Sequence, residues 1–109
     1  MSALYRVQYQ GANGFGDAVV YIGKGKIVGM DITASHYDGS YAEQNGHLQG
    51  TATFTSTGVT LVTGQAIPAG EKAPITFNWP RNFAYGQPLQ AMVGGHPVSL
   101  KLTKIGDVP

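Results

Sequence analysis

Three polar residues near the middle of the sequence have side chains from which an acid–base or metal site could be built. His36 and Asp38 are two residues apart on one face of an alternating segment, and His47 follows the turn Asn45-Gly46. In some hairpin registers His47 would face that pair, as metal binding or proton transfer requires. No further ligand or nucleophile stands at a recognisable spacing, so we expect solvated surface here. An enzyme that uses these three residues is the weakest of our functional hypotheses.

The other short motifs indicate turns rather than chemistry. GANGFG at residues 11–16 has glycine spacings found in phosphate-binding loops, but such loops need a following helix, and the next residues predict a strand. Asp31 ends a predicted strand and is expected to fix the next loop through side-chain hydrogen bonds. We therefore expect no catalytic residue, no metal site and no cofactor, and we predict that the protein is not an enzyme.

Charge and hydropathy restrict the partners. Seven Lys and Arg residues oppose six Asp and Glu residues, and they are scattered along the 109 residues. Nucleic-acid binding normally needs a basic stripe, so no direct nucleic-acid contact is expected. No apolar run approaches the roughly 20 residues of a membrane span, and MSALYRVQY lacks the pattern of a signal peptide. We expect a cytoplasmic protein without a membrane partner, folded as one domain over residues 1–109.

The elements that position these residues are predicted to be strands, because apolar and polar residues alternate with a period of two. The clearest hairpin runs from His36 to Phe54 around Asn45-Gly46. Residues 56–73 are expected to form a loop. Further strands are expected at residues 4–10, 15–22, 26–31, 75–79, 88–93 and 98–105. This succession predicts an all-β, eight-stranded antiparallel up-and-down barrel, with a two-sheet β-sandwich as the alternative.

Aromatic residues dominate the faces assigned to the interior. Ordinary core packing is the simplest interpretation of them. Gly39, Gly50 and Ala52 also fall at inward positions, where they could leave a cavity for a small apolar, lipid-like molecule. The aromatic residues predicted to surround that cavity are Tyr5, Tyr9, Tyr37, Tyr41, Phe54, Phe77 and Trp79.

Four segments resemble the GrlR-like family of small bacterial proteins, named for a negative regulator of type III secretion gene expression. They are AVVYI at residues 18–22, GKIVGMD at residues 25–31, YDGSY at residues 37–41 and G-x-L-x-G from Gly46. The resemblance covers residues 3–56 and, loosely, the final strand. It implies a lipocalin-like barrel with an apolar interior, commonly a homodimer, without enzymatic activity.

The resemblance also suggests two contact surfaces. The predicted strands at residues 15–22 and 26–31 are apolar on both faces, which suits a dimer, and the expected dimer face consists of Val20, Ile22, Val28 and Met30. The family's regulator binds a partner activator through an acidic run in the loop after the Y-x-G element.

In this chain the corresponding partner loop contains Glu43, Gln44 and Asn45, with a single acid. We accordingly expect a non-enzymatic regulatory or protein-binding barrel that acts as a homodimer, with a regulatory protein partner of unknown identity. A carrier or sensor of a small apolar molecule is the alternative.

Overall fold

A computed structural model describes residues 2–109 of the chain. Within that range the protein consists of strands and turns, and no helix is present that is long and apolar enough to cross a membrane. The strands are β1 (Ser2–Gly11), β2 (Gly14–Gly23), β3 (Lys26–Asp31), β4 (His36–Gln44), β5 (His47–Thr55), β6 (Val59–Thr60), β7 (Ala66–Ile67), β8 (Lys72–Pro80), β9 (Leu89–Val93) and β10 (His96–Asp107).

Eight of these strands form a closed antiparallel barrel in the order β1-β10-β9-β8-β5-β4-β3-β2. Successive strands of the barrel pair in the order of the sequence. The β6–β7 hairpin is inserted between β5 and β8, and these two strands pair with each other. The first and last strands close the sheet, with Val7 opposite Leu102 and Tyr9 opposite Leu100. The predicted up-and-down, lipocalin-like barrel is therefore confirmed, and the β-sandwich alternative is wrong because no strand is left to form a second sheet of comparable size.

Two-residue turns with positive φ at both residues connect three of the hairpins, and the third is Gly94-Gly95 between β9 and β10, with φ values of 57° and 84°. Asn45 and Gly46 have φ values of 53° and 77°, and Lys24 and Gly25 have values of 52° and 77°. This pair of left-handed residues is the type I′ geometry, whose twist matches that of the flanking strands. The turn at Asn45-Gly46 fixes the register of the predicted central hairpin, placing Tyr37 opposite Phe54.

One end of the barrel is closed by a side chain from the connection between β8 and β9. The Phe83 side chain lies at this end of the barrel and is buried in the core. Its ring centroid lies 5.3 Å from that of Tyr5 and 5.8 Å from that of Trp79. Leu48 and Leu102 are fully buried in the same cluster. We call this end, where β1 and β5 begin and β8 ends, the closed end.

Residues 56–73 cover part of the opposite end and are more ordered than the predicted loop. Val59 pairs with Ile67 in the β6–β7 hairpin, and Ile67 is buried against Phe54. The Ser56 hydroxyl donates a hydrogen bond to the carbonyl oxygen of Ile67 at 2.7 Å. The loop predicted for residues 56–73 therefore contains a short hairpin, which the sequence does not indicate because two-residue strands are too short to produce a visible alternation.

The Phe83→Ala substitution tests whether this ring closes the barrel. Removing a buried phenylalanine ring leaves a cavity, so we expect a loss of about 3–5 kcal/mol in the free energy of unfolding measured in urea. Tyr85→Ala in the same connection is the matched control. Tyr85 is 82% exposed, and its truncation should change that free energy by no more than about 0.5 kcal/mol. Equal losses in the two variants would contradict the assignment.

Candidate ligand-binding cavity

A cavity of about 210 Å³ occupies the barrel between the aromatic cluster of the closed end and the β6–β7 hairpin. Its wall is almost entirely apolar. Trp79 and Phe77, whose rings stack with centroids 4.2 Å apart, form the side toward the closed end. The surrounding wall comes from inward residues of β1, β2, β8 and β10, among them Val7, Val20, Ile75, Val98 and Leu100.

Asp31 lies at the opposite, open end of the cavity, which we call the mouth. Its Oδ1 accepts hydrogen bonds from the backbone N–H of Thr33 at 2.9 Å, from the Thr33 hydroxyl at 2.6 Å and from the backbone N–H of Ser35 at 3.2 Å. These bonds hold the turn between β3 and β4, as predicted for this residue. Asp31 is 8% exposed and also lines the cavity.

Two tyrosine hydroxyls converge on the other oxygen of this carboxylate. Tyr37 of β4 donates a hydrogen bond to Oδ2 of Asp31 at 3.0 Å, and the Tyr9 hydroxyl of β1 lies 3.5 Å from the same atom. Tyr9 reaches this position across β2 because Gly16 has no side chain there. A Cβ atom at Gly16 would overlap the Tyr9 ring.

Burial dominates the proton affinity of both hydroxyls. Desolvation raises the pKa of Tyr37 strongly, and the neighbouring Tyr9 and Asp31 raise it further. Desolvation is also the main reason that the pKa of Tyr9 is raised, and the Asp31 carboxylate adds to the effect. Both tyrosines therefore keep their protons at neutral pH and can donate or accept hydrogen bonds at the mouth.

The seven aromatic residues predicted for the interior all project into the barrel, but they divide between its two ends. Tyr5 and Tyr41 pack in the cluster of the closed end. The remaining five line the cavity and are Tyr9, Tyr37, Phe54, Phe77 and Trp79. Phe83, which the alternation of the sequence does not indicate, is buried in the cluster of the closed end.

The cavity does not arise where inward glycines suggested it. A Cβ atom at Gly50 would overlap the Phe77 ring, so that ring already fills the space. A Cβ atom at Gly39 would collide with the backbone of Thr51 and Ala52. Ala52 does line the cavity. The two glycines thus allow close packing of strands and of Phe77, and they leave no free volume.

The hairpin register separates the residues of the hypothetical acid–base site. His36 lies opposite Thr55, whereas His47 lies opposite Gln44 at the other end of β4. Eight residues of strand separate these positions, or about 26 Å. The side chains of His36, Asp38 and His47 are exposed. Among residues 2–109 no group of three His, Cys, Asp or Glu residues could hold a metal ion. The register therefore does not bring His47 next to His36 and Asp38, and the exposure of the three side chains agrees with the solvated surface expected there.

The predicted partner loop lies at the closed end, far from the mouth. Glu43, Gln44 and Asn45 are exposed there. Nη2 of Arg81 lies 3.8 Å from Oε2 of Glu43, and the backbone N–H of Arg81 donates a hydrogen bond to the Gly46 carbonyl oxygen at 2.9 Å. This loop is therefore a surface separate from the cavity.

The predicted dimer face combines residues from both sides of the barrel wall. Val28 and Met30 point outward and are 50% and 48% exposed. Val20 and Ile22 point inward and are 8% and 1% exposed, so their assignment to an outer face is wrong. Val19 projects outward instead. The error arose because β2 is apolar on both faces, which removes the alternation that distinguishes inside from outside.

Comparison with protein-family models gives no match, and comparison with curated proteins gives none either. The resemblance to GrlR-like proteins stays a prediction from the motifs. Barrels of this architecture serve many unrelated functions, so the fold alone does not identify the function, and the cavity and its mouth are the features that bear on it.

The raised pKa of Tyr37 predicts alkaline destabilisation. The folded chain keeps a phenolic proton that the unfolded chain releases above about pH 10, so this stabilisation is complete below that pH and is lost as the pH rises. In urea unfolding between about pH 10 and about pH 11, we expect wild type to lose stability faster than Tyr37→Phe by roughly 1 kcal/mol per pH unit. The lost hydrogen bond lowers the stability of the variant by the same amount at every pH. The comparison therefore uses the slopes of unfolding free energy against pH, which this constant loss does not change. Parallel curves would contradict the prediction.

Proposed function

We propose that the protein binds a small, predominantly apolar molecule inside the barrel and acts as a carrier or sensor of it. The observation that supports this proposal is the cavity of about 210 Å³ with apolar walls and a hydrogen-bonding group at one end. Binding sites for small molecules usually combine an apolar wall with a few convergent polar groups. Asp31, Tyr9 and Tyr37 are those groups here.

The energetic cost of an empty cavity supports occupation. Apolar atoms that face unfilled space lack the dispersion contacts of a packed interior. A ligand that fills the space restores the missing dispersion contacts. Occupation therefore stabilises the barrel.

The rim of the mouth offers a route into this space. Phe15 and Ile32 line the opening, and both side chains are largely exposed to solvent. The β6–β7 hairpin covers the rest of the opening, and the backbone N–H of Asn13 donates a hydrogen bond to the Val62 carbonyl oxygen at 2.7 Å. Apolar molecules reach the interior past exposed apolar side chains at low desolvation cost.

Ala52→Leu should block the cavity, since Ala52 lines it and the larger side chain occupies the same volume as a ligand. With 2-phenylethanol as the probe in isothermal titration calorimetry, we expect binding to wild type and at least tenfold weaker binding to the variant, or about 1.4 kcal/mol. Thr51→Leu is the matched control, because Thr51 is the adjacent outward residue of β5 and is exposed. Equal binding by the two variants would contradict the proposal, as would a wild type that binds neither this probe nor its amine and carboxylate analogues, 2-phenylethylamine and phenylacetate.

A second proposal concerns the outer surface of the barrel. We propose that a second copy of the chain binds there, which would give the homodimer expected of a GrlR-like regulatory barrel. Outward apolar side chains of β1, β2 and β3 are neighbours across the strands, with Val19 opposite Met30, Tyr21 opposite Val28 and Leu4 opposite Tyr21. We call these five residues the outer patch. Continuous exposed apolar surface of this kind favours contact with another protein.

Val28→Lys tests the dimer. A charge in the outer patch must be desolvated in the contact, so we expect sedimentation velocity at micromolar concentration to show a dimer for wild type and a monomer for the variant. Thr53→Lys is the control because Val28 and Thr53 both lie opposite Asp38, on either side of β4. A wild-type monomer would remove the support for a homodimer.

A further inference from the structure

We infer that the cavity selects a small organic amine, whose protonated nitrogen binds at Asp31 between the hydroxyls of Tyr9 and Tyr37. This inference rests on the proposed ligand binding and specifies the chemistry of the ligand. It follows from the charge of the mouth, from the acceptors that converge there and from the size of the cavity.

The charge of the mouth is negative and has no cationic partner in the described structure. Asp31 is 8% exposed, so more than nine-tenths of the residue is buried. The ion pairs found among residues 2–109 join Arg6 to Asp17, Arg81 to Glu43 and Lys104 to Asp107, and none involves Asp31. Buried carboxylates are usually paired with a cation, since desolvation of an isolated charge is costly. A cationic ligand would supply the missing charge.

Three oxygen atoms that can accept hydrogen bonds lie close together at the mouth: Oδ2 of Asp31 and the hydroxyl oxygens of Tyr37 and Tyr9, 3.0 and 3.5 Å from it. Oδ1 of Asp31 is used by the turn, with three donors from Thr33 and Ser35. Oδ2 accepts one good hydrogen bond, from Tyr37 at 3.0 Å, while the Tyr9 contact of 3.5 Å is at the limit of hydrogen bonding. Oδ2 therefore has acceptor capacity left, and each tyrosine oxygen can also accept. An alkylammonium group has three donors, which matches three acceptors.

The cavity wall favours a cation and disfavours an anion. Tyr9, Tyr37 and Phe54 line the cavity near the carboxylate, and the ring centroids of Tyr37 and Phe54 are 5.4 Å apart. The faces of aromatic rings attract cations. Among the described residues that line the cavity there is no Lys, Arg or His. The carboxylate of a fatty acid would face Asp31 with no counter-charge, so like-charge repulsion opposes that ligand class.

The volume limits the size of the amine. An apolar cavity of about 150 Å³ takes up benzene. The cavity of about 210 Å³ therefore accommodates one ring with a short chain, or an alkyl chain of similar volume, with about ten non-hydrogen atoms. Long-chain lipids exceed this limit. The inferred ligand class is thus a one-ring arylalkylamine or a short alkylamine.

A matched set of probes tests the inference with the intact wild-type chain. 2-Phenylethylamine, 2-phenylethanol and phenylacetate share the ring and chain and differ in the terminal group. By isothermal titration calorimetry at neutral pH, we expect the amine to bind at least about tenfold more tightly than the alcohol and phenylacetate to bind weakest. The amine is expected to bind more tightly because its charged ammonium group donates a charge-assisted hydrogen bond to Asp31, whereas the donor group of the alcohol is neutral.

The other possible outcomes distinguish failure of the amine selectivity from failure of ligand binding itself. Equal affinity for the amine and the alcohol, or tighter binding of phenylacetate, would overturn the selection of an amine and leave the ligand-binding proposal standing. Binding of none of the three probes would overturn the ligand-binding proposal and, with it, this inference.

Two variants with the same change in net charge locate the selectivity. Asp31→Asn removes the charge at the mouth, and we expect the preference for the amine over the alcohol to fall to within about threefold, while the alcohol still binds. Asp38→Asn removes an exposed charge on the outside of β4 and should retain the full preference. If Asp31→Asn does not fold, the wild-type probe series decides the question alone. An Asp31→Asn variant that folds and retains the preference would overturn the role of Asp31.

Discussion

Pairing of β1 with β10 is the interaction on which the cavity depends. This ladder runs from Ala3 opposite Asp107 to Gln10 opposite Ser99, with a register shift between Leu4 and Tyr5. A sheet without that contact would have two free edges and no enclosed interior, and exposed edges favour pairing between chains. Closure converts the inner face of every strand into one shared core. It also allows Phe83 to pack against both Tyr5 of β1 and Trp79 of β8.

Side chains fill the barrel interior more completely at the closed end than toward the mouth. The cavity therefore lies toward the mouth. Eight strands enclose a space that side chains can just fill. At the closed end, Trp79, Phe83 and Tyr5 pack against one another and fill it. Toward the mouth, smaller residues such as Ala18 and Ala52 face inward and leave space beside Asp31. The unfilled volume thus lies against the one carboxylate that the described part of the chain presents to the interior.

The sequence predicts features that are specified locally. The hairpin around Asn45-Gly46, the strand expected at residues 98–105 and the turn-holding role of Asp31 depend on nearby residues, and the structure confirms them. Burial of Phe83 depends on closure between β1 and β10, which local alternation does not encode. The position of His47 opposite Gln44, in contrast, follows directly from the two-residue turn at Asn45-Gly46, so the separation of His47 from His36 is already implied by the predicted hairpin.

The two oxygens of Asp31 have different structural roles, which bears on why this residue faces the cavity. Oδ1 is sufficient to hold the turn, since it receives all three hydrogen bonds from Thr33 and Ser35. Holding the turn does not use Oδ2, which is buried and is satisfied by the hydroxyls of Tyr37 and Tyr9. Replacing either tyrosine by phenylalanine would remove a donor from this buried oxygen. The two hydroxyls thus stabilise the carboxylate in the folded chain, and the same hydroxyls are the polar groups that the proposed ligand would meet at the mouth.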